Sequence, residues 1–345
     1  MMIMNRKYVL RWSALAIVVV LLLLGGAFGL PLLRSVSSTS EPVLVYLDQD
    51  DNFDSLAVKL KATGKAEMNR GLRLAARLLK YQDRVRSGCY DVGSGQSAWT
   101  VVRQLRAGHQ QPIRLTIPQV WTKEQLAARL SRQLMTDSAS LASLFNDSTA
   151  LRAYDTSPEM LVSLFVPDTY EVYWTLTPEA LLKRMAKEQK AFWTDERLAQ
   201  AKQQGLKPDE VAILASIVDK ETTNVDEMPM VAGMYLNRLR TNMLLQADPT
   251  VKFALGNFAL RRILNVHLAY DSPYNTYKYA GLPPGPICVP SQQAIKAVLR
   301  PAQHNYLYMC AKEDFSNAHN FATTYAEHLA NARRYQQALN QRGIK

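Results

Sequence analysis

In the stretch KPDEVAILASIVDKE, apolar residues recur at Val211, Leu214, Ile217 and Val218, which is the spacing of one helical face. Pro208, Asp209 and Glu210 make a good helix start, with proline in the first turn and acids at the positive end of the dipole. On a wheel of about 100° per residue, Glu221 falls between Leu214 and Ile217, inside the apolar stripe. Asp219 and Lys220 point off that stripe, one to each side. A carboxylate on an apolar face is costly unless it is paired or protonated. A protonated carboxyl in a half-apolar cleft is what a general acid requires. On the wheel alone, a helix that ends at Glu221 and lets it reach water is the plainer alternative. A second helix follows a short polar turn and runs towards Asn242.

Elsewhere the pattern alternates between the two periods. Val43, Val45 and Leu47 read as a strand, Phe53–Leu60 and Arg70–Leu79 as helices, and Ser87–Val92 (SGCYDV) as a turn plus strand. Ala98–Ala107 reads as a helix, and Ile113, Leu115 and Ile117 alternate again. These make a small α+β unit over residues 43–117. Thr122–Leu134 reads as a helix with Thr122 and Gln125 as a capping box, and Ser138–Phe145 as an amphipathic helix. The aromatic run FVPDTYEVYW (165–174) turns at Pro167-Asp168 into a strand. Pro178–Phe192 reads as a helix, with another starting at Thr194-Asp195. The fold class expected is α+β: a small module, then a larger mixed domain over residues 118–345.

The first 42 residues change the picture. Trp12–Leu33 carries no charge over 22 residues, long enough to span a bilayer as a helix. Arg6, Lys7 and Arg11 precede it, and acids at 41, 48, 50, 51 and 54 follow, so the positive-inside bias places residues 1–11 in the cytoplasm and the rest in the periplasm or cell exterior. A cleaved signal peptide is the rival, but the apolar core is long for one and Ala27-Phe28-Gly29 is a weak cleavage match. Residues 34–42 form a polar linker.

The 345-residue chain is 48% hydrophobic, enough to build real cores, and its net charge is +11. That charge raises nucleic acid as a partner. No nucleic-acid motif or long basic cluster accompanies it, the outward topology argues against it, and an anionic envelope polymer or lipid surface suits the charge equally. Cys89, Cys288 and Cys310 lack metal-ligand spacing and read as small core residues, although a Cys288–Cys310 bridge is conceivable. HExxH, GxSxG, Walker and GxGxxG patterns are all missing, and the five histidines are not spaced as a ligand set, so neither a metal nor a cofactor is expected.

What remains for chemistry is one carboxylate and three polar loops. Leu245–Thr250 (LQADPT) presents Gln246, Asp248 and Thr250. Asp271–Tyr277 (DSPYNTY) presents Ser272, Tyr274, Asn275, Thr276 and Tyr277. Gly281–Pro290 (GLPPGPICVP) is rigid. Rings that cover apolar sugar faces and amides that bond hydroxyls suit a carbohydrate cleft. Purely structural proline-rich turns are the equal alternative on composition.

Read in order, ASIVDKET (Ala215–Thr222), NRL (Asn237–Leu239), LQADPT, SPYNTY (Ser272–Tyr277) and GLPPGPI (Gly281–Ile287) resemble the catalytic domain of the endolytic murein transglycosylase (YceG-like) family. VPDTYEVY (Val166–Tyr173) is similar to a family element with Val166 in place of phenylalanine, and Tyr306–His328 resembles the closing segment. Gly88, Tyr90, Leu105 and Gly108 resemble a LysM-like domain. The chain departs from the family pattern at Asp219, a shorter acid that this departure marks as replaceable, and at Ala247 in place of threonine. The resemblance implies a lytic transglycosylase, a lyase whose catalytic acid is Glu221. Such an enzyme cleaves the MurNAc–GlcNAc β-1,4 bond within glycan strands and leaves 1,6-anhydroMurNAc ends. It implies peptidoglycan as partner, an inner-membrane anchor, no cofactor, strand termination as the role and pairing with peptidoglycan synthases. The alternative from another class is a non-catalytic wall-binding or divisome scaffold protein.

Overall fold

Glycine and proline punctuation, with a side-chain cap at most helix starts, divides the chain into short elements. The structure, a computed structural model, describes residues 6–260 and 262–343; the first five residues of the expected cytoplasmic segment 1–11 and the last two of the 118–345 domain lie outside the described residues. The chain divides into two compact units, Met1–Arg114 with Glu171–Leu176, and Leu115–Tyr170 with Thr177–Lys345. Together they carry both helices and antiparallel strands, the α+β class expected.

The first unit opens with α1 (Arg6–Leu24), whose helix widens into a π-turn over Gly25–Gly29 before α2 (Leu30–Leu33). Three glycines in five residues explain the loosening, because they constrain the backbone least. Arg11–Leu33 is a stretch long and apolar enough to cross a membrane, and Leu32 near its end packs against the core of the first unit. Next come β1 (Leu44–Leu47), α3 (Phe53–Ala62), α4 (Arg70–Leu78), β2 (Gly88–Asp91) and α5 (Ala98–Ala107). β1 and β2 pair antiparallel, Val45 opposite Tyr90. Val45, Leu47, Leu56, Leu60, Leu72, Val101 and Leu105 form the core beneath them. α5 is capped by Ser97 at its start and ends on Gly108 at φ 75°, a left-handed conformation that suits glycine.

The chain crosses between the units within β3 (Ile113–Thr116) and β4 (Thr169–Val172), which form a second two-stranded sheet. Between them lie α6 (Lys123–Leu130), α7 (Ser138–Asn146) and α8 (Ser148–Arg152). α6 stops four residues short of the expected Leu134. Thr122 caps it by accepting from Gln125 N (3.2 Å), but the Gln125 side chain accepts from Trp121 N rather than from the cap residue, so the capping box is only half formed.

The second unit continues with α9 (Pro178–Phe192), α10 (Asp195–Gln203), α11 (Pro208–Glu221), α12 (Met228–Arg240), α13 (Asp248–Leu255), α14 (Asn265–Leu268), α15 (Gln292–Leu299), β5 (Tyr308–Ala311), β6 (His319–Ala322) and α16 (Tyr325–Gln341). Its core is built around α11. Every residue from Val211 to Val218 is buried, which corrects the one-sided stripe expected from the wheel. Small Ala212, Ala215 and Ser216 let neighbouring elements approach on the other sides. The Gly281–Pro290 segment is one of them. Ile287 N donates to Ser216 Oγ (2.9 Å), and the Cys288 thiol lies 3.5 Å from the Ser216 carbonyl. A Cβ at Gly285 would lie 2.3 Å from the Glu159 carbonyl oxygen, so that turn needs glycine for close approach. This loop is thus largely a buried structural strap, its proline-rich composition serving packing. All three cysteines are free thiols.

Candidate active site

The last turn of α11 delivers Glu221 to a cleft of about 210 Å³. Tyr235 and Arg238 of α12, Gln246 and Asp248 at the start of α13, Tyr277, and Met309, Cys310, Ala311 and His319 of the β5–β6 hairpin line it. β5 and β6 pair antiparallel with Ala311 opposite His319.

Glu221 remains partly open to the cleft, yet protein atoms crowd its carboxyl. Desolvation pushes its pKa up to about 7, and the nearby charge of Asp248 adds to this. The Tyr235 hydroxyl donates to Oε1 at 2.5 Å, and together with the charges of Lys252 and Arg238 it works in the opposite direction. The Tyr235 pKa is raised, by burial first and then by Glu221, so the hydroxyl keeps its proton. Among the described residues Oε2 takes no protein hydrogen bond. One oxygen is therefore oriented while the other is left for a ligand.

The NRL motif builds the cleft walls. The buried guanidinium of Arg238 donates through Nε to Leu307 O (2.6 Å) and through Nη1 to Leu244 O (3.1 Å) and Leu245 O (2.8 Å). Asn237 Nδ2 donates to His304 O (2.8 Å) and Tyr306 O (3.1 Å). α12 thereby holds both the loop before α13 and the chain leading into β5. At Gly233 a Cβ would lie 2.6 Å from Ala302 O, so glycine lets that chain cross α12.

Of the residues expected to bind substrate, Gln246, Asp248 and Tyr277 line the cleft with Glu221. The Tyr277 hydroxyl donates to Asp248 Oδ1 (2.6 Å). Gln246 sits at φ 49°, a left-handed conformation, and its N–H donates to Thr276 O (3.1 Å). The other five do not line it. Asn275 is buried and donates to Leu268 O (2.9 Å) and Tyr270 O (2.7 Å). Thr276 Oγ1 accepts from Ala247 N (3.0 Å) and lies 2.8 Å from Thr250 Oγ1. Ser272 Oγ accepts from Tyr274 N (3.3 Å), and the Tyr274 ring packs on Phe253 with centroids 4.7 Å apart. These groups zip the 246–250 and 272–277 loops together behind the wall, because the tight turns leave backbone groups that only their own side chains can satisfy.

Asp219 needs correcting too. Ser291, the N-cap of α15, donates to it through its backbone N–H (2.5 Å to Oδ2) and its hydroxyl (2.6 Å to Oδ1). Burial raises the Asp219 pKa, with the Ser291 hydrogen bonds acting against that. The side off the apolar stripe is occupied by another helix start, so this acid is structural rather than idle. Asp219→Ala would leave two donors unpaired next to the core, and a stability loss of about 1–3 kcal/mol is expected. Urea unfolding of the variant measures it, and a change below about 0.5 kcal/mol would refute this role.

Among the lining residues that were not expected at the site are Tyr235, Arg238 and His319. His319 Nδ1 lies 2.8 Å from Glu227 Oε2, and its backbone N–H donates to Glu227 Oε1 at 2.7 Å. Burial works to raise the Glu227 pKa, but the His319 contacts outweigh it and hold the carboxyl below its ordinary range. Nε2 of His319 is therefore the ring nitrogen left for the cleft. Arg238 lay within a quoted motif; nothing local in the sequence marks His319 as a partner of Glu227, 92 residues earlier. Among the described residues no group of His, Cys, Asp and Glu is arranged to hold a metal ion.

A YceG-like family profile matches residues 45–334 of this chain. Proteins from two strains of Streptococcus pneumoniae, each named endolytic murein transglycosylase, are 26% identical over 330 residues, which covers 84% of this chain and 59% of theirs. A Bacillus subtilis protein with the same name is 25% identical over 340 residues, 93% of both chains. The crystal structure of a Listeria monocytogenes protein described as yceG-like matches with a TM-score of 0.56 and 27% identity, over 85% of this chain and 99% of that one. The chain thus spans 59% of the length of the pneumococcal relatives.

Proposed function

The chain belongs to the YceG-like family, and from that premise we propose that it is an endolytic murein transglycosylase, a lyase that cuts MurNAc–GlcNAc β-1,4 bonds within peptidoglycan strands and leaves 1,6-anhydroMurNAc ends. One observation carries the reading: of the two carboxyls that line the polar cleft, Glu221 has its pKa pushed up to about 7, in a chain whose relatives bear that name.

Near neutral pH a large share of Glu221 is protonated. Tyr235 holds Oε1, and the proton passes from Oε2 to the leaving glycosidic oxygen. The carboxylate so formed takes the proton of the sugar's own 6-hydroxyl as that oxygen closes on the anomeric carbon. Hydrolases need two carboxylates because water or a protein nucleophile must be handled as well; here the substrate supplies the nucleophile and one residue serves both steps. Asp248, oriented by Tyr277, steadies the positive charge that develops on the ring. Gln246 and His319 Nε2 bond substrate polar groups. Thr250, Ser272, Tyr274, Asn275 and Thr276 contribute by shaping the loops.

On this reading residues 12–33 anchor the protein in the inner membrane, and the LysM-like module (43–117) and catalytic domain (118–345) face outward. Strand termination beside a peptidoglycan synthase is the role that follows. Digestion of purified sacculi tests the activity. Mass spectrometry should find new ends lighter by one water than reducing ends. Absence of any cleavage would favour the non-catalytic wall-binding reading instead.

Two further outcomes are expected. The donor must be protonated, so kcat/KM should fall about tenfold per pH unit above pH 7 as Glu221 ionises; a flat profile from pH 6 to 9 would contradict the assignment. Tyr235→Phe removes the hydrogen bond that favours the ionised form. That variant should lose roughly tenfold to hundredfold in kcat through misorientation, and its alkaline limb should move to higher pH. Loss of rate without that shift would mean that Tyr235 is only structural.

A further inference from the structure

The polypeptide that leaves the apolar helix is bound to the first unit rather than free. Ala98 N donates to Arg34 O (3.0 Å), Asn69 Nδ2 to Ser35 O (2.9 Å) and Ser38 N to Lys65 O (2.9 Å). α4 starts directly against α2: Gly71 is buried, and a Cβ there would lie 1.9 Å from the Pro31 carbonyl oxygen. Only glycine allows this approach, so the last apolar turn and the start of α4 are locked together. Beside that junction is a cavity of about 610 Å³, whose charged lining is Arg34, Lys65, Glu67 and Arg70, with Asn69 and Ser38 among the polar groups.

Three cations against one anion give this lining a positive excess. Lys65 lies 3.7 Å from Glu41, but both side chains are more than half exposed, so this pair is weak. Arg34 and Arg70 enter no ion pair among the described residues. Arg73, one turn further along α4, is exposed on the same face as Arg70.

We propose that this cavity binds the phosphate headgroup of an anionic phospholipid in the bilayer crossed by the apolar helix. The inference rests on the anchor reading and is independent of the enzymatic one. A lipid is favoured over other anions because the cavity wall starts at Arg34, the residue directly after Leu33, where the apolar stretch ends and the headgroup layer begins. A bound headgroup holds the first unit at the bilayer surface.

The test uses full-length protein in nanodiscs of equal phosphatidylglycerol and phosphatidylcholine, released and weighed by native mass spectrometry. Wild type should retain phosphatidylglycerol in preference. Each basic side chain at an anionic surface is worth about fivefold in binding, so Arg34→Gln with Arg70→Gln should cut the preference about 25-fold. Arg106→Gln, exposed near the end of α5 and outside the cavity, should leave it unchanged. Equal retention of both lipids by wild type, or the same loss in Arg106→Gln, overturns the proposal. Failure to incorporate into nanodiscs at all would sink the anchor reading and this inference with it.

Discussion

Glu221→Gln is expected to abolish release of anhydro-ended fragments, with a rate loss of about 10³-fold or more, while the protein stays folded. General acid–base groups contribute about 10²–10⁴-fold, and in the proposed mechanism one residue serves both proton transfers. Glutamine can still accept from Tyr235 at Oε1 and fills the same volume, so the cleft is kept. The variant also makes a thermodynamic prediction whose sign is fixed. Glu221 has a folded pKa of about 7, above the ordinary glutamate value of 4.5. Below pH 4.5 it is neutral in both states and costs nothing. Between pH 4.5 and 7 only the unfolded chain ionises, and stability falls; above pH 7 the full penalty applies, on the order of 2–3 kcal/mol. Glutamine carries no such penalty. Glu221→Gln should therefore be at least as stable as wild type at pH 8, with the advantage vanishing near pH 4.5. A variant that unfolds more easily at pH 8 would mean that the carboxylate is held as a structural ion, not poised as an acid.

Arg238→Met should give the largest stability loss, about 3–5 kcal/mol. Arg238 is 7% exposed and satisfies three backbone carbonyls, Leu244, Leu245 and Leu307. Methionine fills the volume but leaves those carbonyls with no donor in a place where water has little access. Burial lowers the Arg238 pKa, though a guanidinium stays charged at any working pH. Because these carbonyls belong to opposite walls of the cleft, cleavage should fall as well. Arg238→Lys should recover little, since a single ammonium cannot reproduce the planar fork that reaches three oxygens. Chemical unfolding at pH 7 measures the first effect; a loss under 1 kcal/mol would show that water or a shifted backbone replaces the donors.

Helices with strong local signals were legible in the sequence. Ala98–Ala107, Pro178–Phe192 and Pro208–Glu221 begin and end where capping residues, prolines and periodicity place them. Local readings failed where the deciding partner is distant in the chain. The wheel set Asp219 off the stripe and had nothing to say of Ser216, but Ser291 and Ile287, more than 70 residues later, satisfy both. The wheel aimed Glu221 towards Leu214 and Ile217, and in the structure the helix continues unbroken to that residue, which lines the cleft. In the polar loops, composition could not separate a residue that faces the cleft from one that braces the turn. Asn275 and Thr276 serve backbone groups that the tight turns leave unpaired, whereas Tyr277, the next residue, and Gln246 in the other loop line the cleft. The wall formed by β5 and β6 was seen only as a resemblance at Tyr306–His328, since the pairing of Ala311 with His319 depends on a hairpin whose loop carries no strong turn signal.

In the proposed mechanism the substrate's own hydroxyl, not water, attacks the anomeric carbon after Glu221 protonates the leaving oxygen. Digestion of sacculi in oxygen-18-labelled water tests it most directly, with the new glycan ends analysed by mass spectrometry. Wild type should give anhydro ends that carry no label, and Glu221→Gln should give no new ends. Reducing ends carrying one oxygen-18 atom would show that water is the nucleophile and would contradict it.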